Sequence, residues 1–395
     1  PPKGVVYTHD HMMYEGQIIE ELGLLEPEFC QFLFLPLAHS FACAIVNVWM
    51  KNGHKLAIAE SMETIVDNLK EVQPHFMASV PRVFEKIYAK IVSQGLAAPG
   101  LKGKLFAWAL KTNDIYAEFM INNKPVPIAL KLQMAAAKKL VFSKIALKLK
   151  EILGPNMMYM VSGGAPLAKK MAYFLAHAGL NILEGYGLTE TSAGTTLARP
   201  STNKIGTVGE PLKGVEIKIN PDGEILIRSR GVMKCYWKNP EATTEIIDKD
   251  GWFYSGDIGK FDSEGRLMIT DRKKDIIITA GGKNVAPQNI ENLIKTNPLI
   301  SQVMVYGDKK KFLSALITLN EENARTLAQN QSISYKDYRE LTQHPKLYKN
   351  VEEAIAQFNT ELNQYETIKK FAILDHDFSV GEELTPTLKV KRKLC

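Results

Sequence analysis

The sequence predicts an α/β protein on three observations. Short apolar runs such as residues 55–58, 75–80 and 157–161 alternate with stretches of helical periodicity, the alternation that lays helices against a sheet. Two apolar runs break straight into glycine-rich loops, Ser162-Gly163-Gly164-Ala165-Pro166-Leu167 and Gly185-Tyr186-Gly187, where missing side chains leave backbone open to a ligand. Residues 215–219 and 224–228 alternate around Asn220-Pro221-Asp222-Gly223, a hairpin signal.

Composition narrows the class. In 395 residues, 45% apolar and 23% charged content are ordinary for a globular protein with room for two or three domains. No run of 18 uninterrupted apolar residues exists, so no spanning helix is predicted. Cys30, Cys43, Cys235 and Cys395 lack metal or disulfide spacing, which fits a reducing, cytoplasmic setting. A net charge of +6 is too mild to imply a nucleic-acid partner.

Taken in order, residues 5–8 read as a strand, and Met12, Ile18, Ile19, Leu22 and Leu25 as one face of a helix. Residues 31–41, QFLFLPLAHSF, read as a buried strand ending at Pro36 and His39. His39 there suits either a ligand contact or a plain backbone bond. Residues 60–72 form an amphipathic helix with Ile65, Leu69 and Val72 on one face. The next strand runs into Pro81-Arg82-Val83-Phe84. Between residues 101 and 150, ten lysines stand against two acids, Asp114 and Glu118, with apolar residues among them at helical spacing. Such a basic helical stretch suits an anionic membrane surface or a solvated lysine face, and the sequence leaves both open.

Residues 181–193, NILEGYGLTETSA, carry the densest chemistry. Glycines on either side of Tyr186 let backbone pass close to a flat ligand that the ring covers. Thr189, Thr191 and Ser192 offer hydroxyls, and Glu190 offers a carboxylate of the kind that holds Mg²⁺ beside substrate phosphates. In DGWFYSGDIG, Asp257 is read in a tight turn, either as a cap or with a free carboxylate that accepts from both hydroxyls of a ribose. Asp271-Arg272-Lys273-Lys274-Asp275 is a charge run between strands at 266–270 and 276–279. Beyond it come a loop with Gly281-Gly282-Lys283, a helix opened by Pro287, and strands at 303–306, 313–319 and 370–374. Residues 335–365 read as largely helical, and the chain closes on a basic tail, LTPTLKVKRK.

In this order the motifs resemble those of the acyl-adenylate-forming superfamily of acyl-CoA synthetases, luciferases and nonribosomal adenylation domains. GYGLTE resembles its central adenylate motif, SGGAPL its adenine-side loop, and PLAHSF its motif near the carboxylate and phosphates. GVMKCYWKNPEAT is similar to its VMxGYxxxPxxT motif, with Cys235 in the glycine position, while YSGD resembles the ribose motif and DRKK the domain junction. The VPRVF segment and the insertion before SGGAPL resemble the long-chain fatty acyl subgroup. The opening PPKGV resembles only the end of the family's phosphate loop, which implies a chain that has lost that loop and what precedes it.

The resemblance implies a large N-terminal domain of layered α/β sheets plus a β-barrel-like subdomain over residues 1–270. It implies a hinge at 271–275 and a smaller, mobile C-terminal α+β domain over 276–395. The implied reaction joins a long-chain fatty acid to ATP as acyl-AMP and passes the acyl group to CoA, with Mg²⁺ at Glu190. Lys389 is the implied catalytic lysine. Lys391 is the alternative, because Thr387-Leu388 replaces the family's serine-glycine and loosens the register. Thr189, Glu190 and His39 fall beside the phosphates. Gly163, Gly164, Ala165, Pro166, Gly185, Tyr186, Gly187, Asp257, Arg272, Lys274, Gly282 and Lys283 fall around the nucleotide. Moving Lys389 aside for the second step implies rotation about the junction. Two alternatives stay open: an acyl-AMP ligase that delivers to a carrier protein, and a non-catalytic nucleotide- or lipid-binding module. A dimer and a peripheral contact with the inner face of a membrane also stay open.

Overall fold

A computed structural model describes residues 3–61, 63–379, 381–385 and 390–392. The chain divides into two compact units, residues 1–81 with 112–270, and residues 82–111 with 271–395. The break after residue 270 falls at the charge run.

The first unit is built on a seven-stranded sheet. Its spatial order is Lys55–Ile58, Cys30–Leu33, Phe76–Ser79, Tyr159–Ser162, Ile182–Tyr186, Thr196–Leu197, Glu210–Pro211. The first five pair in parallel and the last two antiparallel. Parallel neighbours need crossovers, and the helices Ser40–Asn52, Ile65–Val72 and Lys169–His177 supply three of them. Phe32, Leu33, Met77, Met160 and Leu183 are fully buried, which is why these strands read as apolar runs. A four-stranded sheet, Leu267–Arg272, Phe253–Phe261, Glu224–Arg228 and Glu216–Ile219, stands where a barrel-like subdomain is expected. Its predicted hairpin turns at Gly223 (φ 87°).

Several boundaries move for local reasons. The strand expected over 31–41 ends at Leu33, and His39 is instead the extended residue that opens the helix Ser40–Asn52. The helix expected from residue 60 starts at Ile65, because Ser61 and Thr64 first exchange side-chain and backbone hydrogen bonds in a turn. The first helix spans His9–Glu20, so Leu22 and Leu25 pack on the core from beyond it. The basic insertion is helical over Leu101–Ile121, Ile128–Ala137 and Ser143–Leu153, the last two joined by a π-type segment, Lys138–Phe142.

The second unit has a three-stranded sheet, Ile300–Tyr306, Leu313–Leu319, Ile368–Ile373, covered by the helices Pro287–Ile294, Glu321–Asn330 and Pro345–Asn359. Ile290, Val303, Ile317, Leu347 and Val351 form its core. Pro287 occupies the first helical turn, as expected. The helical stretch expected over 335–365 is split into Tyr338–Thr342 and Pro345–Asn359, because Pro345 drives His344 out of helical geometry.

Candidate functional site

The strand Ile182–Tyr186 delivers the chain to Gly187, where a Cβ would lie 1.5 Å from the Ala193 carbonyl oxygen. Only glycine fits. The loop curls back on itself there: the Ala193 amide donates to Leu188 O (2.9 Å) and the Thr195 amide to Tyr186 O (2.9 Å). Ser192 and Ala193 sit in the left-handed region, at φ 60° and 86°. For residues other than glycine this costs about 1–3 kcal/mol each, and such strain persists only where neighbours over-determine it.

Neighbours from distant parts of the chain hold this loop. Tyr7 Oη donates to the Thr189 carbonyl, and Tyr236 Oη donates to Glu190 Oε1 at 2.5 Å. Ser192 Oγ donates to Gly231 O at 2.7 Å. Burial, then the charge of Glu190, pushes the Tyr7 phenol up; burial, then the bond to Glu190, does so for Tyr236. Both phenols therefore remain donors at neutral pH.

His39 and the SGGAP loop join the same place. His39 Nε2 is buried and has no hydrogen-bond partner. The next residue, Ser40, puts its Oγ 3.4 Å from Thr189 Oγ1. The Phe41 ring lies 3.2 Å from where a Gly163 Cβ would stand, and Gly185 O lies 3.8 Å from the same point. Gly164 (φ 85°), Ala165 and Pro166 are exposed. On the strand leading to Gly185, burial raises the Glu184 carboxyl to about 7, with the Gly206 and Leu167 amides opposing.

Asp257 corrects the expectation of a free carboxylate in a tight turn. It lies inside the strand Phe253–Phe261, 4% exposed, and accepts from Tyr186 Oη at 2.8 Å. The glycine that suggested a turn, Gly256 (φ 70°), belongs to an irregularity in the strand pairing, where its amide donates to Glu224 Oε1 (2.9 Å). Tyr186 is nearly buried, with its hydroxyl committed to Asp257.

The remaining expected residues belong to the second unit. Arg272 is half-buried at the end of its strand, and its amide donates to Asp271 Oδ1. Lys274 and Lys283 are exposed, Lys283 with Nζ 6.0 Å from the Tyr365 ring centre. Gly282 is left-handed at φ 72°. Lys391 Nζ donates to the Gly381 carbonyl at 2.6 Å. Lys389 lies outside the described residues.

For Mg²⁺, no group of three or more His, Cys, Asp or Glu side chains among the described residues makes a complete cage. Glu190 and the neighbouring Thr189 hydroxyl fit the ion as a partial set, since Mg²⁺ is usually held by one or two carboxylates together with substrate phosphates. Thr191 does not join them, being 1% exposed with its Oγ1 accepting from the Leu188 amide (3.0 Å) and bonded to Thr195 Oγ1 (2.9 Å). Tyr7 and Glu15 had gone unmarked in the sequence, and Ser40 lay within the quoted PLAHSF without a role of its own. Tyr236 lay within a quoted motif, but its bond to Glu190 did not show.

Comparisons with known proteins follow the same lines. Residues 1–237 match the family described as AMP-binding enzyme, and residues 274–395 the one described as AMP-binding enzyme C-terminal domain. Long-chain-fatty-acid–CoA ligase FadD15 of Mycobacterium tuberculosis is 40% identical, covering 100% of this chain and 65% of its own length. Human long-chain-fatty-acid–CoA ligase ACSBG2 is 33% identical over 99% of this chain and 62% of its own. The chain thus spans somewhat under two thirds of these relatives. In fold it is similar to O-succinylbenzoate coenzyme A synthetase (MenE) from Bacillus subtilis, solved with ATP and magnesium ion (TM-score 0.65, 20% identity, 99% of this chain and 66% of that one). The adenylation domain of a carboxylate reductase from Mycobacterium chelonae is similar too (TM-score 0.70, 20% identity, 95% and 54%).

Proposed function

Because the chain belongs to the AMP-binding enzyme family, we propose that it activates a long-chain fatty acid with ATP and passes the acyl group to CoA. The observation that carries this reading is the unpartnered, buried His39 Nε2 next to Ser40, whose Oγ meets Thr189 Oγ1 at 3.4 Å, beside Glu190. The long-chain acid and CoA come from the names of the relatives.

A carboxylate oxygen attacks the α-phosphorus of ATP, the bond to the bridging oxygen breaks, and pyrophosphate leaves. A thiol sulfur then attacks the acyl carbon, and AMP leaves with the pair of electrons from the broken C–O bond. Negative charge crowds the first step, so fixed donors aimed at it lower the barrier. Thr189 offers its hydroxyl to a phosphate oxygen, the buried Thr191 braces the loop through Leu188 and Thr195, His39 Nε2 offers a further polar contact, and Asp257 with Tyr186 orients the ribose. Mg²⁺, held through Glu190, neutralises phosphate charge when bound. Arg272, Lys274, Gly282, Lys283 and Lys389 (or Lys391) belong to the C-terminal part of the same reading, Lys389 as the cation shared by carboxylate and α-phosphate.

Pyrophosphate and AMP release from ATP, scanned over acid chain length with and without CoA, tests this on the present chain and on one extended to the length of the relatives. Release that needs both a long-chain acid and CoA supports the ligase. Release indifferent to CoA moves the reading to a carrier-protein donor. A lengthened chain that releases neither product overturns it.

Contact with an anionic membrane surface belongs to the reading as well. Opposite its buried face, the helical stretch 128–153 exposes Ile128 (77%), Leu132 (67%) and Leu147 (63%). Lys131, Lys138, Lys139, Lys144, Lys148 and Lys150 surround them against one acid, Glu151. Aliphatic side chains among lysines, with no arginine and no exposed aromatic, suit lipid better than nucleic acid. No helix among the described residues is long and apolar enough to cross a membrane. Co-sedimentation with phosphatidylserine vesicles should fall as salt rises and fall again in Leu132→Ser; binding indifferent to both changes overturns this part.

A further inference from the structure

Glu15 sits in the middle of the helix His9–Glu20, 1% exposed, and neither carboxyl oxygen has a hydrogen-bond partner of ordinary geometry. A buried polar group left like this weakens the fold, and a leucine would fill a similar volume without that cost. Burial raises the carboxyl well above its ordinary range, with the Gly194 amide opposing the shift.

The carboxyl bears on one backbone position. A Cβ at Gly194 would lie 2.6 Å from Glu15 Oε2 and 3.3 Å from Leu212 Cδ1. Gly194 directly follows the left-handed pair Ser192-Ala193, which closes the loop carrying Thr189 and Glu190. The helix beneath cannot slide away. Gly16 packs so closely that a Cβ there would stand 2.9 Å from Asn47 O. Tyr14 Oη donates to Lys213 O at 3.1 Å, and His11 Nε2 lies 2.9 Å from Val232 O. Glu15 is therefore held rigidly against the one segment of the loop whose backbone is strained.

We infer that Glu15 is a positioning residue: its carboxyl supports Gly194 from below, fixes the Ser192–Ala193 turn, and so sets Thr189 and Glu190 toward the phosphates. The role rests on the reading of this loop as a nucleotide site. It explains why a polar group stays where an apolar one would be more stable.

Glu15→Leu, Glu15→Gln and Glu15→Asp test the inference, with thermal melting and calorimetric titration of Mg·ATP on the same samples. Glu15→Leu should melt at or above the parent temperature yet bind Mg·ATP about tenfold more weakly, while the isosteric Glu15→Gln stays within about threefold of the parent. A Glu15→Leu protein that binds Mg·ATP like the parent overturns the inference. If that variant does not fold, Glu15→Asp decides: it keeps the acid but withdraws it from Gly194 by one methylene, so parent-like binding again overturns the role. A parent that binds no nucleotide overturns the loop's reading itself, and this role falls with it.

Discussion

Among the described residues, the two units leave buried polar groups unpaired in different places, although the first unit also pairs buried charges, as Arg266 with Asp262 at 3.0 Å. In the second unit, Glu85 is nearly buried but meets Lys295 Nζ at 2.8 Å and Arg82 Nη1 at 3.3 Å. Burial raises its pKa, and the two cations more than reverse the shift. Glu291 is buried against Arg392 at 2.5 Å, and Arg82 also donates to Ser301 O (2.8 Å). In the first unit, Glu15, His39 and Ser162 each keep a buried side-chain polar atom without a partner, and all three lie on or under the glycine-rich loops. Each member of a buried charge pair becomes costly once its partner is removed, whereas orphaned polar groups survive where another constraint keeps them. The contrast can be tested at one residue of each kind, Glu85 and His39.

The largest expected effect tests the structural half. Glu85→Ala strands the Lys295 ammonium in a place shaped for a pair, which costs about 3–5 kcal/mol. The denaturation midpoint should drop accordingly, and Glu85→Ala combined with Lys295→Met should recover most of the loss. A single variant as stable as the parent would mean the cluster is solvated and the contrast is wrong.

The functional half predicts the reverse pattern at His39. Nε2 makes no bond within the protein, so His39→Ala should leave stability within about 1 kcal/mol while slowing adenylate formation by about 10–100-fold. Equal losses of stability and rate would assign the imidazole to packing.

Much of the fold was legible because burial writes itself into runs of apolar residues. The strands Lys55–Ile58, Glu224–Arg228 and Leu313–Leu319 stand where the sequence puts them. The glycine of GYG was legible as well, and the structure supplies the reason in the Ala193 carbonyl that a Cβ would strike. What the sequence hid are contacts between distant segments. Tyr7 reaches Thr189 across 182 positions and Tyr236 reaches Glu190 across 46, distances at which no local periodicity speaks. Asp257 misled because a glycine in a strand irregularity has the same signature as a glycine in a turn. Glu15 did leave a signal: a carboxyl spaced three and four before Ile18 and Ile19, on the apolar side of its helix. The grouping of residues 82–111 with the second unit had no counterpart in composition.

The smallest effect concerns the exception. Asp271 lies in the second unit, 3% exposed, yet its Oδ2 has no partner, although Arg392 is near enough to oppose the shift. Burial raises its pKa from 3.8 to about 6, with Asp275 and Glu291 adding to the rise and the Arg272 amide opposing it. Between those values the folded state binds a proton that the unfolded chain has released, so stability is full below about pH 4 and falls as pH rises toward 6. Discounted for solvent screening, the loss amounts to at most about 2 kcal/mol above that window. Asp271→Asn removes the ionisation, so the difference in stability between variant and parent should grow in the variant's favour from pH 4 to 6 and then stay level. A difference that does not change with pH would mean that Asp271 is already ionised and paired. It would then join Glu85 and Glu291 as a buried acid held by a cation, which sharpens the contrast. The predicted slope would instead mark the start of the charge run, residues 271–275, as a place where the second unit keeps an uncompensated group, as the first unit does beneath its loops.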